Sequence, residues 1–114
     1  MSLYLTNSLN FKTGMMSKRK FIPPIHPGEI LEEEFLIPLG LSQRAFARSI
    51  DVPPNRVNDI VRGKRTITGD TAIRMSLALG TSPEMWLRLQ ARYELEKAQD
   101  EIGPELAKKI KPVV

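Results

Sequence analysis

The sequence contains no cysteine and only one histidine, His26. The first absence excludes disulfides, thiolate zinc sites and cysteine nucleophiles, and it agrees with a cytoplasmic life. The second leaves any metal site or catalytic dyad built on His26 without a partner, so that residue is assigned to packing or capping. No run of about eighteen apolar residues is available to cross a membrane. Residues 1–20 have neither the apolar core nor the small-residue cleavage site of a secretory signal. No pair of carboxylates falls in a glycine-bounded cleft, and Ser42 with Lys64 is too generic a pair to argue a nucleophile. The chain is therefore read as a non-enzyme without cofactor or metal. What it does have is 114 residues, 41% of them hydrophobic and 26% charged, enough for one small domain with tails around a single modest core. The net charge of +4 permits a polyanionic partner without demanding one.

The organising stretch runs from Ser42 to Arg65, SQRAFARSIDVPPNRVNDIVRGKR. Ser42 is a helix N-cap, because its hydroxyl can accept a free amide of the first turn. Phe46, Ala47 and Ile50 then make one apolar face of a short helix. Asp51-Val52-Pro53-Pro54 stops it, since proline lacks the amide donor and steers the preceding residue away from helix. Proline is also favoured in a first helical turn, so the same pair can open the next helix. There Val57 and Ile60 face back toward Phe46 and Ile50, while Asn55, Arg56, Asn58, Asp59 and Arg62 face outward. The simplest alternative is an ordinary helical hairpin with a solvated face. Charge favours DNA: residues 41–68 hold six Lys/Arg against two Asp, whereas residues 69–114 balance seven against seven. Two short helices at a tight turn, with an amide- and guanidinium-rich outer face on the second, suit major-groove reading.

The remaining chain divides into a flexible basic N-terminal arm (1–20), a helical domain (21–99) and a C-terminal tail (100–114). The arm carries Lys12, Lys18, Arg19 and Lys20, and Met15-Met16 is a candidate start within it. Pro27 opens the first helix, with Leu31, Phe35 and Leu39 as its expected buried stripe and four glutamates on a solvated face. Thr68 is the N-cap of the fourth helix, whose Ala72, Met75 and Leu79 form a stripe with Ile73 and Leu77 beside it. Such girth predicts the central helix of a small bundle. Ser82-Pro83-Glu84 starts the fifth helix. It carries two apolar stripes, Trp86-Leu89-Tyr93 and Leu87-Ala91-Leu95-Ala98. A terminal helix can place one stripe on its own core. The second is a candidate dimer surface, although a wider core contact would also use it, and the dimer contact is assigned across Trp86, Leu87, Leu89, Ala91, Tyr93 and Leu95. Beyond Asp100, Gly103-Pro104 is expected to break the chain, with Pro104 to Lys111 as a candidate final short amphipathic turn.

The spans HPGEILEEEFLIPLGLSQRAFA and RGKRTITGDTAIRMSLALGTSPEMWLRLQARYEL, with the helices between them, resemble the HigA/VapI antitoxins, which are helix-turn-helix proteins of the XRE, phage-repressor-like type. The match covers about residues 26–95. Its particular pieces are HPGEIL, T-x-D-T-A-x-R and G-T-S-P-x-x-W-x-x-L-Q-x-x-Y-x-L. Two departures stand out: Asp51 where the family usually has the turn glycine, and Pro53 where it often has a capping serine or threonine. Aspartate tolerates the left-handed conformation better than most residues.

The resemblance implies an all-α, five-helix domain. It also implies an antitoxin that neutralises a HigB/RelE-type toxin, a ribosome-dependent messenger-RNA endonuclease, and that represses its own operon as a homodimer. The residues themselves argue the DNA half. With the second helix in the major groove, Asn55 and Asn58 are the expected base readers, followed by Arg56 and Asp59. Ser42, Gln43, Arg44, Arg62, Lys64 and Arg65 are the expected phosphate contacts. A stand-alone XRE repressor with no toxin would share every one of these features.

Overall fold

The computed structural model describes residues 23–114, so the basic arm (1–20) lies outside the described residues. Every regular element among the described residues is helical. Helix α1 is one continuous stretch built from Pro27–Ile30, a π-helical turn Leu31–Leu36, and Ile37–Leu39. The others are α2 (Gln43–Ser49), α3 (Pro54–Val61), α4 (Gly69–Leu79) and α5 (Pro83–Lys109).

The starts of these helices follow from local chemistry. Ser42 Oγ accepts from Ala45 N at 3.0 Å, Thr68 Oγ1 from Thr71 N at 3.4 Å, and Ser82 Oγ from Met85 N at 3.1 Å. Each satisfies one amide that has no partner within its helix. At the head of α1 the same task falls to His26, whose Nδ1 accepts from Gly28 N at 2.9 Å.

Helices α2 and α3 pack against each other, α1 lies across α3 and α5, and α4 rests on α5. The core they enclose holds Leu31, Leu36, Phe46, Val57, Ile60, Met75 and Trp86, with Ala47 and Ala72 fully buried among them. The crossing of α1 over α3 is close enough that a Cβ on Gly28 would collide with the carbonyl of Ile60 and with Cα of Val61. Only glycine fits there.

Three expectations are corrected. In α1 it is Leu36, fully buried, and not Leu39, 62% exposed, that completes the stripe begun by Leu31. The π-turn is the reason, because bonds to the fifth residue back, such as Ile37 N to Glu32 O, bring i+5 over i. The wide turn leads into Pro38, whose ring would crowd the carbonyl four residues earlier in a regular α-helix. In α4 only one side is covered: Ile73 is exposed and Leu77 is 83% exposed, so α4 is not enclosed all round. In α5, Gly103-Pro104 does not end the helix. Pro104 removes one rung of the ladder, and the helix runs on to Lys109, so the expected tail is helical over its first ten residues.

Candidate nucleic-acid interface

Helix α2 ends in a turn that depends on one backbone conformation. Asp51 has φ 58°, the sole non-glycine residue with positive φ among the described residues. Its amide bonds Arg48 O at 3.2 Å, and Val52 N reaches back to Ala47 O at 3.0 Å. The left-handed conformation costs an L-residue about 1–2 kcal/mol. Arg74 of α4 compensates. Its Nη1 donates to Ile50 O at 2.9 Å and to Asp51 O at 3.1 Å, while its Nε is held by Asp70 Oδ1 at 2.7 Å. Charge-assisted bonds of this kind are the stronger sort. Asp70 and Arg74 stand i, i+4 within T-x-D-T-A-x-R, so the spacing was visible in the sequence, but its target across the fold was not.

Pro53, extended at φ −61° and ψ 144°, precedes α3 and supplies no side-chain cap; Pro54 is the first helical residue. Pro54 thus starts the second helix, as expected, but α2 already ends at Ser49, ahead of left-handed Asp51, so the prolines are not what stops it. Val57 and Ile60 are buried against the α2 side of the core, which leaves the opposite face of α3 to solvent. Asn55, Asn58 and Arg62 are exposed on it, with Asp59 half-buried between them. Arg56 is set apart. A helical step of 100° turns it toward α4, where Arg56, Arg65, Thr66, Thr68, Asp70, Thr71 and Arg74 line a groove of about 370 Å³. Three guanidiniums against one carboxylate make that groove electropositive.

The exposed face is also wired to its neighbours. Asn58 Nδ2 donates to Gln43 Oε1 at 3.0 Å, and Gln43 Nε2 donates to Glu32 Oε2 at 3.4 Å. Two of the expected DNA contacts are therefore bonded to each other, and one glutamate of the run read as solvated touches them. Ser42 and Arg44 stand exposed at the start of α2, and Arg62, Lys64 and Arg65 stand exposed beyond α3. Loop bonds from Gly63 N to Ile60 O (3.0 Å) and from Lys64 N to Asp59 O (2.7 Å) fix the exit from α3.

On α5 the two stripes separate cleanly. Trp86 has no exposed surface. Its ring tilts on Phe35 with centroids 5.4 Å apart, and its Nε1 donates to Thr81 Oγ1 at 2.8 Å. It belongs to the protomer's own core and is withdrawn from the dimer assignment. Leu89 packs on that core too, and half-buried Tyr93 meets His26 edge to face at 4.8 Å. Leu87, Ala91 and Leu95 remain exposed, and their stripe continues through Ala98, Ile102 and Leu106. Gln90, which no apolar pattern marks, is buried between the stripes: its Oε1 accepts from Ile67 N at 2.9 Å and its Nε2 donates to Glu94 at 3.0 Å. It ties the loop after α3 to α5.

His26 caps and packs, as expected. Burial lowers its pKa from the usual value; Glu94 works against that shift and Lys97 adds to it. The neutral imidazole is also the form whose Nδ1 can accept from Gly28. No cluster of potential metal ligands occurs among the described residues, and no described helix is long and apolar enough to cross a membrane.

A recognition-type helix with its polar face outward, pinned by a left-handed turn to a preceding short helix, defines a helix-turn-helix domain. The family model for that domain matches residues 33–86. Over 80 residues the chain is 48% identical to virulence-associated protein I of Dichelobacter nodosus, covering 70% of this chain and 74% of that protein. Over 90 residues it is 36% identical to antitoxin HigA-1 of Vibrio cholerae, covering 79% and 84%. Among solved structures, the antitoxin HigA of Pseudomonas aeruginosa with the higBA promoter superposes with a TM-score of 0.77 at 43% identity, covering 80% of this chain and 99% of that one. The chain belongs to the helix-turn-helix family, in its HigA and virulence-associated protein branch.

Proposed function

We propose that this chain is the antitoxin of a type II toxin–antitoxin pair, which binds and neutralises a HigB/RelE-type toxin in the cytoplasm and represses its own operon as a homodimer. The observation that carries this reading is the likeness to an antitoxin HigA solved with its promoter, at 43% identity over nearly the whole of that chain. The outward face of α3 supports the DNA half.

In this reading α3 enters the major groove, with Asn55, Asn58 and Asp59 toward base edges; a carboxamide can pair bidentately with adenine. Arg56 is the fourth base-reading candidate, and its place beside Arg65 also suits it to the flanking phosphate. Ser42, Gln43, Arg44, Arg62, Lys64 and Arg65 hold the backbone on either side, supplying affinity and salt dependence without sequence preference. The dimer forms through Leu87, Ala91 and Leu95 of α5, placing two recognition helices on half-sites about 34 Å apart.

The test is growth of cells expressing the small reading frame adjacent to this gene, alone and with this protein. Arrest relieved by this protein, with copurification of the two, establishes the antitoxin. Absence of arrest leaves a stand-alone repressor, which protection of the upstream DNA would then reveal.

A further inference from the structure

We infer that Glu32, in the π-turn of α1, is a positioning residue for operator discrimination, acting through Gln43 on Asn58. This rests on the DNA-reading role proposed above for α3. The three side chains come from three helices and form one line: Glu32 Oε2 to Gln43 Nε2 at 3.4 Å, then Gln43 Oε1 to Asn58 Nδ2 at 3.0 Å.

The direction of that line follows from donor chemistry. An ionised carboxylate can only accept, so the end of Gln43 that meets Glu32 must be its amino group. The carbonyl end of Gln43 is then turned to Asn58, which must answer with its own amino group. Asn58 is thereby left with Oδ1 and its second N–H facing outward in a fixed order. Without Glu32 the two carboxamides form a pair that is equally satisfied with both reversed. Reversal exchanges the acceptor and the donor that Asn58 presents, and adenine recognition requires the two in register with N6 and N7. Glu32 removes that degeneracy without itself touching a base.

A purely electrostatic role has the opposite signature. A carboxylate beside bound DNA repels phosphates, so its removal would tighten binding to every duplex alike. A positioning role loses preference instead.

The experiment compares full-length protein with Glu32→Gln and Glu32→Ala variants, each checked for an unchanged thermal melt. Binding is measured to the footprinted upstream duplex and to an unrelated duplex of equal length. Glu32→Gln keeps the shape but restores an end that can donate. The expected result for both variants is a fall in the ratio of the two affinities by about three- to tenfold, the worth of one directed hydrogen bond, with affinity for unrelated DNA unchanged or raised. In an Asn58→Ala background, Glu32→Gln should leave the ratio where Asn58→Ala put it, because the relay then has nothing to orient. Equal shifts on both duplexes, or an undiminished effect of Glu32→Gln in that background, overturn the assignment of Glu32 alone. A wild-type protein with no preference for its upstream DNA overturns the function proposed above, and this inference with it.

Discussion

The helix-turn-helix half of the molecule and α5 are both helical, yet they are held in different ways. Between Ser42 and Arg65 nearly every apolar side chain has an inward partner, and the turn is clasped from a third helix by Arg74. Helix α5 is buried over its first half, at Trp86 and Gln90, and then leaves the body with Leu95, Ile102 and Leu106 exposed. The first region is complete within one protomer. The second carries an apolar stripe left exposed among the described residues, which is where the proposed dimer forms. A period of 3.6 shows that a face exists; it does not show what covers it.

The largest effect that would sharpen this contrast is expected from Trp86→Ala. It empties a fully buried site and should cost about 3–5 kcal/mol in urea unfolding. Leu95→Ala, by contrast, should change protomer stability by less than about 0.5 kcal/mol while weakening self-association in sedimentation. A large stability loss from Leu95→Ala with no change in mass would mean that the stripe is internal after all. Gly28→Ala should come next, at about 1–3 kcal/mol, because its Cβ meets the backbone of α3 and no flexible side chain can yield. Operator binding should fall with it as α3 is displaced.

Asp51→Gly is expected to act in the other direction, raising stability by about 0.5–1 kcal/mol by relieving the left-handed aspartate. No gain would mean that the freedom glycine adds to the unfolded chain cancels the relief of strain. The last prediction is a pH effect. His26 has a folded-state pKa below its unfolded value, so the unfolded chain binds more protons as acid is added. Stability should be complete above about pH 6.5 and fall as pH drops from there through the folded-state pKa. His26→Asn keeps a capping acceptor and should flatten that fall, as read from urea midpoints at pH 7.5 and 5.5.

Much of the fold was legible because its causes are local. Ser42, Thr68 and Ser82 act within three residues of themselves, and Pro54 opens the helix it begins. Even the departure at Asp51 was readable as a left-handed aspartate. What escaped was set by contacts between elements. The substitution of Leu36 for Leu39 depends on a π-turn that no 3.6-residue template contains. Pro104 reads as a breaker in any sequence, and one lost rung does not stop a helix that is otherwise continuous. In the candidate site, residue types and faces were legible for Asn55, Asn58 and the basic cluster. Arg56's turn toward α4, Trp86's burial and the Glu32–Gln43–Asn58 line were not, because each joins helices whose meeting only packing decides.

The contact of Gly28 with the back of α3 has a consequence for how such a domain changes its target. The inner side of that helix is clamped through main-chain surfaces and buried aliphatics, none of which reads a base. Asn55 and its outward neighbours contribute almost nothing to that clamp. New binding preferences can therefore be written onto the outer residues, with Gln43 and Glu32 changing alongside position 58, while the buried scaffold keeps its shape from one regulatory circuit to the next.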